Sequence, residues 1–189
     1  MENKEVATVR TITGELIGGF ILYGIPFAIL YSIIYALISK VIPSESLVMT
    51  VIIAIILQGL GAFLVWKCSI ATTFRKRSID RNDVPTVMKN LMIFTVIFCF
   101  ISAIMNFSEV NQKIDKTINS NASGQLSENF MKYMYDDEQI AQYQAEKEKA
   151  IDEAKTKLYT YLAVLEIGLL AVYLCVVPLQ KNSILKHAV

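Results

Sequence analysis

The stretch "LYTYLAVLEIGLLAVYLCVVP", Leu158 to Pro178, decides the fold. Read as a helix, it is long enough to cross the ~30 Å hydrocarbon core of a bilayer, and almost every residue in it is apolar. One ionisable group, Glu166, interrupts it near the middle. Three further runs share its character: about 14–39, 47–66 and 90–107, with this one as the fourth, about 158–177. Hydrophobic residues make up 54% of the 189-residue chain and the mean hydropathy is +0.46. A soluble domain normally holds about 45–50% apolar residues, and here the excess is gathered into the four runs. Lipid offers backbone N–H and C=O groups no partner, so each run must satisfy its own as a helix. The expected fold class is therefore all-α, a four-span transmembrane helical bundle forming one integral membrane domain.

Lysine and arginine in the short connections set the direction of threading. Residues 67–89 carry six: Lys67, Arg75, Lys76, Arg77, Arg81 and Lys89. The connection between the first two spans carries only Lys40. The 67–89 loop and both termini are thus expected in the cytoplasm, with residues 108–157 on the far side. That outer segment has seven lysines against ten acids, a net charge of −3. The isoleucine-, lysine- and asparagine-rich composition suggests a bacterial inner membrane. The first apolar run, about 25 residues, is too long for the ~7–15-residue core of a cleavable signal peptide, so it is expected to stay as a span.

The outer segment reads as a helical hairpin between spans three and four. Val110, Ile114 and Ile118 recur every four residues, carrying the third helix outward. "NSNASG", 119–124, has turn chemistry. "DDEQ", 136–139, resembles a capping box opening a helix that meets no breaker until Pro178. Glu146–Lys149, Lys149–Glu153, Asp152–Lys155 and Glu153–Lys157 are opposite charges at helical spacing, which support an exposed helix. An apolar seam, Ile151, Ala154, Leu158, Tyr161, Leu165, Gly168, Val172 and Cys175, suits packing along one neighbouring helix. Phe130, Met131, Tyr133, Met134 and Tyr135 gather more adaptable apolar surface than a connector needs, and are the expected partner surface.

Within the first span Gly24, Ala28, Ser32 and Ala36 stand four residues apart, and span two offers Ala54 and Ala62. Small residues let backbones approach closely in lipid, so these are the expected packing positions of a tight antiparallel pair or of self-association. Pro26 should weaken span one locally. Glu166 sits at a depth that Gln58 in span two can share, with Tyr159 and Tyr173 two turns to either side and Ser102 on span three. No lysine, arginine or histidine lies within any span. A bare carboxylate there costs about 2.5 kcal/mol or more. The group is therefore expected to be protonated and hydrogen-bonded to Gln58 or a tyrosine, to serve as a proton or cation site, or to meet a cation on a partner protein. Arg75, Lys76, Arg77 and Arg81 form a basic cytoplasmic set that can also meet anionic lipid head groups.

Cys68, Cys99 and Cys175 lie in or beside apolar runs and are read as reduced thiols. There is no phosphate-binding glycine loop, no C-x-x-C pair, no histidine-based metal spacing and no G-x-S-x-G. With a net charge of +1 and no basic domain, no nucleic-acid partner is expected, and no cofactor or metal. The order of spans, with its large loop between the third and fourth, resembles that of tetraspanins. The Cys-Cys-Gly motif and loop disulfides of that family have no counterpart in Ser108–Lys157, so the likeness implies no function. The sequence points to a non-enzymatic membrane protein that acts as an accessory or interaction subunit through its outer hairpin, working with a partner protein or as a homo-oligomer. The alternative is a small oligomeric transporter or channel using Glu166 and Gln58.

Overall fold

The structure, a computed structural model, describes residues 5–38, 47–120 and 137–189. These residues are almost wholly helical. Helix α1 is Val9–Ile38, α2 Leu47–Thr73, α3 Val84–Ser120, α4 Asp137–Leu179 and α5 Lys181–Leu185. A two-residue strand β1, Glu5–Val6, precedes α1, and β2, Arg77–Ser78, follows α2. Four segments are long and apolar enough to cross a membrane: Val9–Ile34, Val48–Thr73, Arg81–Ile114, which begins just ahead of α3, and Glu148–Leu185, which runs through α4 into α5.

Each helix outruns its apolar stretch, because a helix satisfies its own backbone with or without lipid. Helix α2 continues past Trp66 to Thr73, so the 67–89 connection is non-helical only over a short middle part. Helix α4 runs unbroken for 43 residues, roughly 65 Å, and Pro178 stands in its last turn. Thr8 caps α1, its hydroxyl accepting from Thr11 N–H at 3.3 Å. Ahead of α3, a 3-10 turn at Arg81–Asp83 is capped by Asp80, whose carboxylate accepts from Asn82 N–H at 2.8 Å. Asp83 directly precedes α3 and Pro85 sits in its first turn, where a missing N–H is harmless.

The chain divides into two compact units, Met1–Phe100 with Leu165–Val189, and Ile101–Val164. In the first, α1 and α2 run antiparallel and close together. Phe20 lies against Trp66 with ring centroids 4.4 Å apart, while Phe27 covers Gly61 further along. At Gly19 the helices come so near that a Cβ would strike Ser69. The Ser69 hydroxyl uses that closeness, donating across the pair to the Leu16 carbonyl at 2.7 Å in a buried setting. Tyr23 donates to Thr72 at 2.7 Å, since the Thr72 proton is already given to Cys68 O. On another side of α2, Val172 of α4 fits over Gly59 and Ile55 fits over Gly168. Helix α3 joins through larger side chains, Phe94 and Phe98 packing edge-on to Phe20 at 5.9 and 5.6 Å.

The best-buried residues, among them Ile12, Leu16, Trp66, Phe74, Ile79, Val87, Leu91, Val177 and Ile184, gather at one end of this unit. Backbone bonds knit that end. Strand β1 pairs in parallel with β2, and Ala7 N–H donates to Ser78 O at 3.0 Å. On the opposite edge Val189 N–H donates to Ile79 O at 2.9 Å and Arg81 N–H to Val189 O at 3.2 Å. Backbone groups alternate in direction along a strand, so Ser78 serves one neighbour while Ile79 and Arg81 serve the other. Residues 77–81 are thus the middle ply between 5–7 and 187–189. Arg77 clamps this weave to α1, its Nε 2.7 Å from Glu15 Oε1 and its Nη1 3.5 Å from Glu5 Oε2. Phe74 stacks on His187 at 5.0 Å. Away from the weave the helices turn large apolar side chains outward: Leu22, Ile25, Ile29, Leu37, Ile56, Leu60, Leu64 and Ile167 are all more than half exposed. Such an outward-facing apolar surface suits a hydrocarbon solvent.

In the second unit the later part of α3 meets the earlier part of α4. Phe107 stacks on Tyr159 at 6.3 Å, and the Tyr159 hydroxyl donates to the Asn111 side-chain oxygen. Beyond that pair lies an open groove lined by Val110, Ile114, Ile151, Ala154 and Leu158, with Lys113 and Lys155 also lining it. Lys113 pairs with Glu109 one turn away at 2.7 Å.

Candidate intramembrane polar site

Glu166 is 9% exposed, on a stretch of α4 whose neighbours are almost all apolar. Its carboxyl lies within electrostatic range of the Cys99 thiol on α3 and the Tyr173 hydroxyl, two turns further along α4. Cys99 is also buried, at 6%. The Tyr173 hydroxyl donates to the Gln58 side-chain oxygen on α2 at 3.4 Å, and Tyr31 on α1 lies within electrostatic range of Tyr173. Each of the four long helices thus brings one or more polar side chains to a common region: Tyr31, Gln58, Cys99, and Glu166 with Tyr173. The glycine contacts Gly59–Val172 and Gly168–Ile55 bring α2 and α4 close enough for this.

These groups are donors and acceptors without a fixed positive charge. Gln58 and Tyr173 can each donate or accept, and Glu166 can hold or release a proton. The arrangement can therefore stabilise a neutral carboxyl, or share a proton or a small cation among oxygens.

The site residues expected from the sequence fall in several places. Gln58 and Tyr173 meet directly. Tyr159 and Ser102 belong to the second unit, where Tyr159 engages Asn111 and Ser102 is half-buried. Ala54 and Ala62 on α2 are buried. Along α1, Ala28, Ser32 and Ala36 are exposed, and a Cβ at Gly24 would meet nothing within 4 Å. Gly19 and Gly61 are points of close approach between α1 and α2. Of the basic set, Arg75, Lys76 and Arg81 are exposed, whereas Arg77 is half-buried and taken up by Glu15 and Glu5. Phe130, Met131, Tyr133, Met134 and Tyr135 lie outside the described residues, as do the "NSNASG" turn beyond Ser120 and Asp136 of the expected capping box. All three cysteines are free thiols.

Sequence reasoning missed Cys99 and Tyr31 as members of the polar region, and Ser69 as the link between α1 and α2. Cys99 gave no signal beyond its apolar neighbours. Ser69 carried one that was legible, being a small hydroxyl seven residues along α2 from the small Ala62. Among the described residues no group of three or more His, Cys, Asp or Glu is placed to hold a metal ion. Comparison with protein-family models, with curated proteins and with solved structures finds no match to this chain.

Proposed function

We propose that this chain is a non-enzymatic integral membrane protein of four spans, packed as a helical bundle, that acts as an accessory or interaction subunit. Residues 108–157 form a helical hairpin outside the cytoplasm and recognise a partner protein. Two features favour this threading. The weave ties residues 5–7, 77–81 and 187–189 together, so they share one side. Arg75, Lys76 and Arg81 stand exposed beside it, and the positive-inside rule assigns such a side to the cytoplasm. Those three residues are also free to meet anionic head groups, each worth about 1 kcal/mol near the surface. The composition suits a bacterial inner membrane.

The observation that carries the recognition role is the open groove lined by Val110, Ile114, Ile151, Ala154 and Leu158. An apolar groove between two charge-bearing helices is surface that a plain solvated connector would close or line with polar groups. The test is a photo-crosslinking residue at 114 in the full chain, in native membranes. The reading expects one discrete protein adduct, lost when Ile151 is replaced by Asp. A residue at 114 that captures only lipid contradicts it.

A second reading has the chain as a small oligomeric transporter or channel with Glu166 and Gln58 as a proton or cation site. It is favoured by the convergence of all four long helices on Glu166, Cys99, Tyr173, Gln58 and Tyr31. The exposed Ala28, Ser32 and Ala36, with open space beside Gly24, give a second copy room to approach. In proteoliposomes this reading expects pH-driven flux that Glu166→Gln abolishes. Absence of flux from the unaltered protein contradicts it.

A further inference from the structure

Gln180 forms the turn between α4 and α5, and it is 1% exposed. Its backbone is fully used: the N–H donates to Val177 O at 3.0 Å and the carbonyl accepts from Ile184 N–H at 3.0 Å. Those two bonds, with Val177 and Ile184 both buried in the core, hold the side chain inward although its neighbours Leu179 and Lys181 are exposed. Yet neither Nε2 nor Oε1 of the side chain has a hydrogen-bond partner among the described residues. A carboxamide brings two donors and an acceptor with two lone pairs. Sealing all of them away from water unmatched is the least favourable way to bury that side chain, and native interiors resolve such cases with an ordered water. The same helix end carries a further acceptor. Pro178 has no N–H, so it cannot bond the carbonyl four residues earlier, that of Leu174.

We infer that the Gln180 side-chain amide holds an internal water molecule within the apolar core beside the terminal weave. One water can accept from Nε2–H and donate to Oε1 of the same amide. Its remaining capacity is open to a backbone carbonyl, of which Leu174 is the nearest in sequence with its helical donor removed. The water completes a polar seat at the point where α4 gives way to α5, the helix that packs against α2. It thereby accounts for a buried glutamine at this helix junction.

The test uses the full chain, uniformly labelled, in lipid nanodiscs. Solid-state NMR spectra in which only magnetisation passed from water is observed would be recorded. Backbone connectivity through Leu179, Gln180 and Lys181 assigns the side-chain amide without any substitution. The inference expects the Gln180 Nε2 signal to rise as early as the amides of exposed Lys181 and Asn182, while the Val177 and Ile184 backbone amides stay dark. A Gln180 side chain as dark as Ile184 overturns it.

Discussion

At the scale of single residues, Glu166 carries the sharpest question, and its neighbours suggest how to divide packing from proton chemistry. Glutamine keeps the hydrogen-bonding capacity of a protonated carboxyl, and leucine removes it. If Glu166 serves packing, Glu166→Gln leaves thermal stability in detergent nearly unchanged, while Glu166→Leu lowers it. The loss should be on the order of 1 kcal/mol, the usual scale of an interhelical hydrogen bond in lipid. Equal destabilisation by both would defeat the packing account. The α1–α2 contact gives a second ranking. Ser69→Ala removes one interhelical bond and should cost about 0.6 kcal/mol. Gly61→Leu drives side-chain atoms into Phe27 and should cost more, roughly 1–3 kcal/mol, as overpacked sites do. Gly24→Leu meets open space and should leave the melting temperature of the monomer unaltered. Melting curves that rank Gly24→Leu below Gly61→Leu would contradict the assigned contact face.

At the scale of elements, the four long helices were legible because each is announced by an uninterrupted apolar run. Continuation of α4 from Asp137 to Leu179 was legible too, since no breaker stands between "DDEQ" and Pro178. Which face of α1 turns inward was not. In lipid both faces are apolar, so hydrophobic periodicity is silent, and α1 carries Gly14, Gly18, Gly19 and Gly24 on several sides. The weave was also illegible. Its strands are two residues long, too short for alternation to register, and their partners lie more than 70 positions apart. Arg77, which opens its middle ply, looked like one more topogenic charge. The ion pairs of Arg77 are partly exposed, so they are worth about 0.2–1 kcal/mol after solvent screening. Arg77→Ala should therefore speed amide exchange at Ala7, Ile79 and Val189 by up to about fivefold, without unfolding the helices. Unchanged protection at all three amides would show that the clamp does not hold the weave.

At the scale of the whole molecule, everything rests on four membrane crossings with the weave on the cytoplasmic side and residues 108–157 on the other. An even number of crossings follows if residues 5–7 and 187–189 share a ladder with 77–81, and the direction follows from Arg75, Lys76 and Arg81. The most direct measurement is labelling of single cysteines in intact cells with a membrane-impermeant maleimide, after the three native cysteines are replaced. Ala145 and Lys76 are both exposed, so burial does not confound either position. The account predicts that Ala145→Cys reacts in intact cells, while Lys76→Cys reacts only once the cells are opened. Labelling of Lys76→Cys in intact cells, or of Ala145→Cys only after lysis, would contradict it.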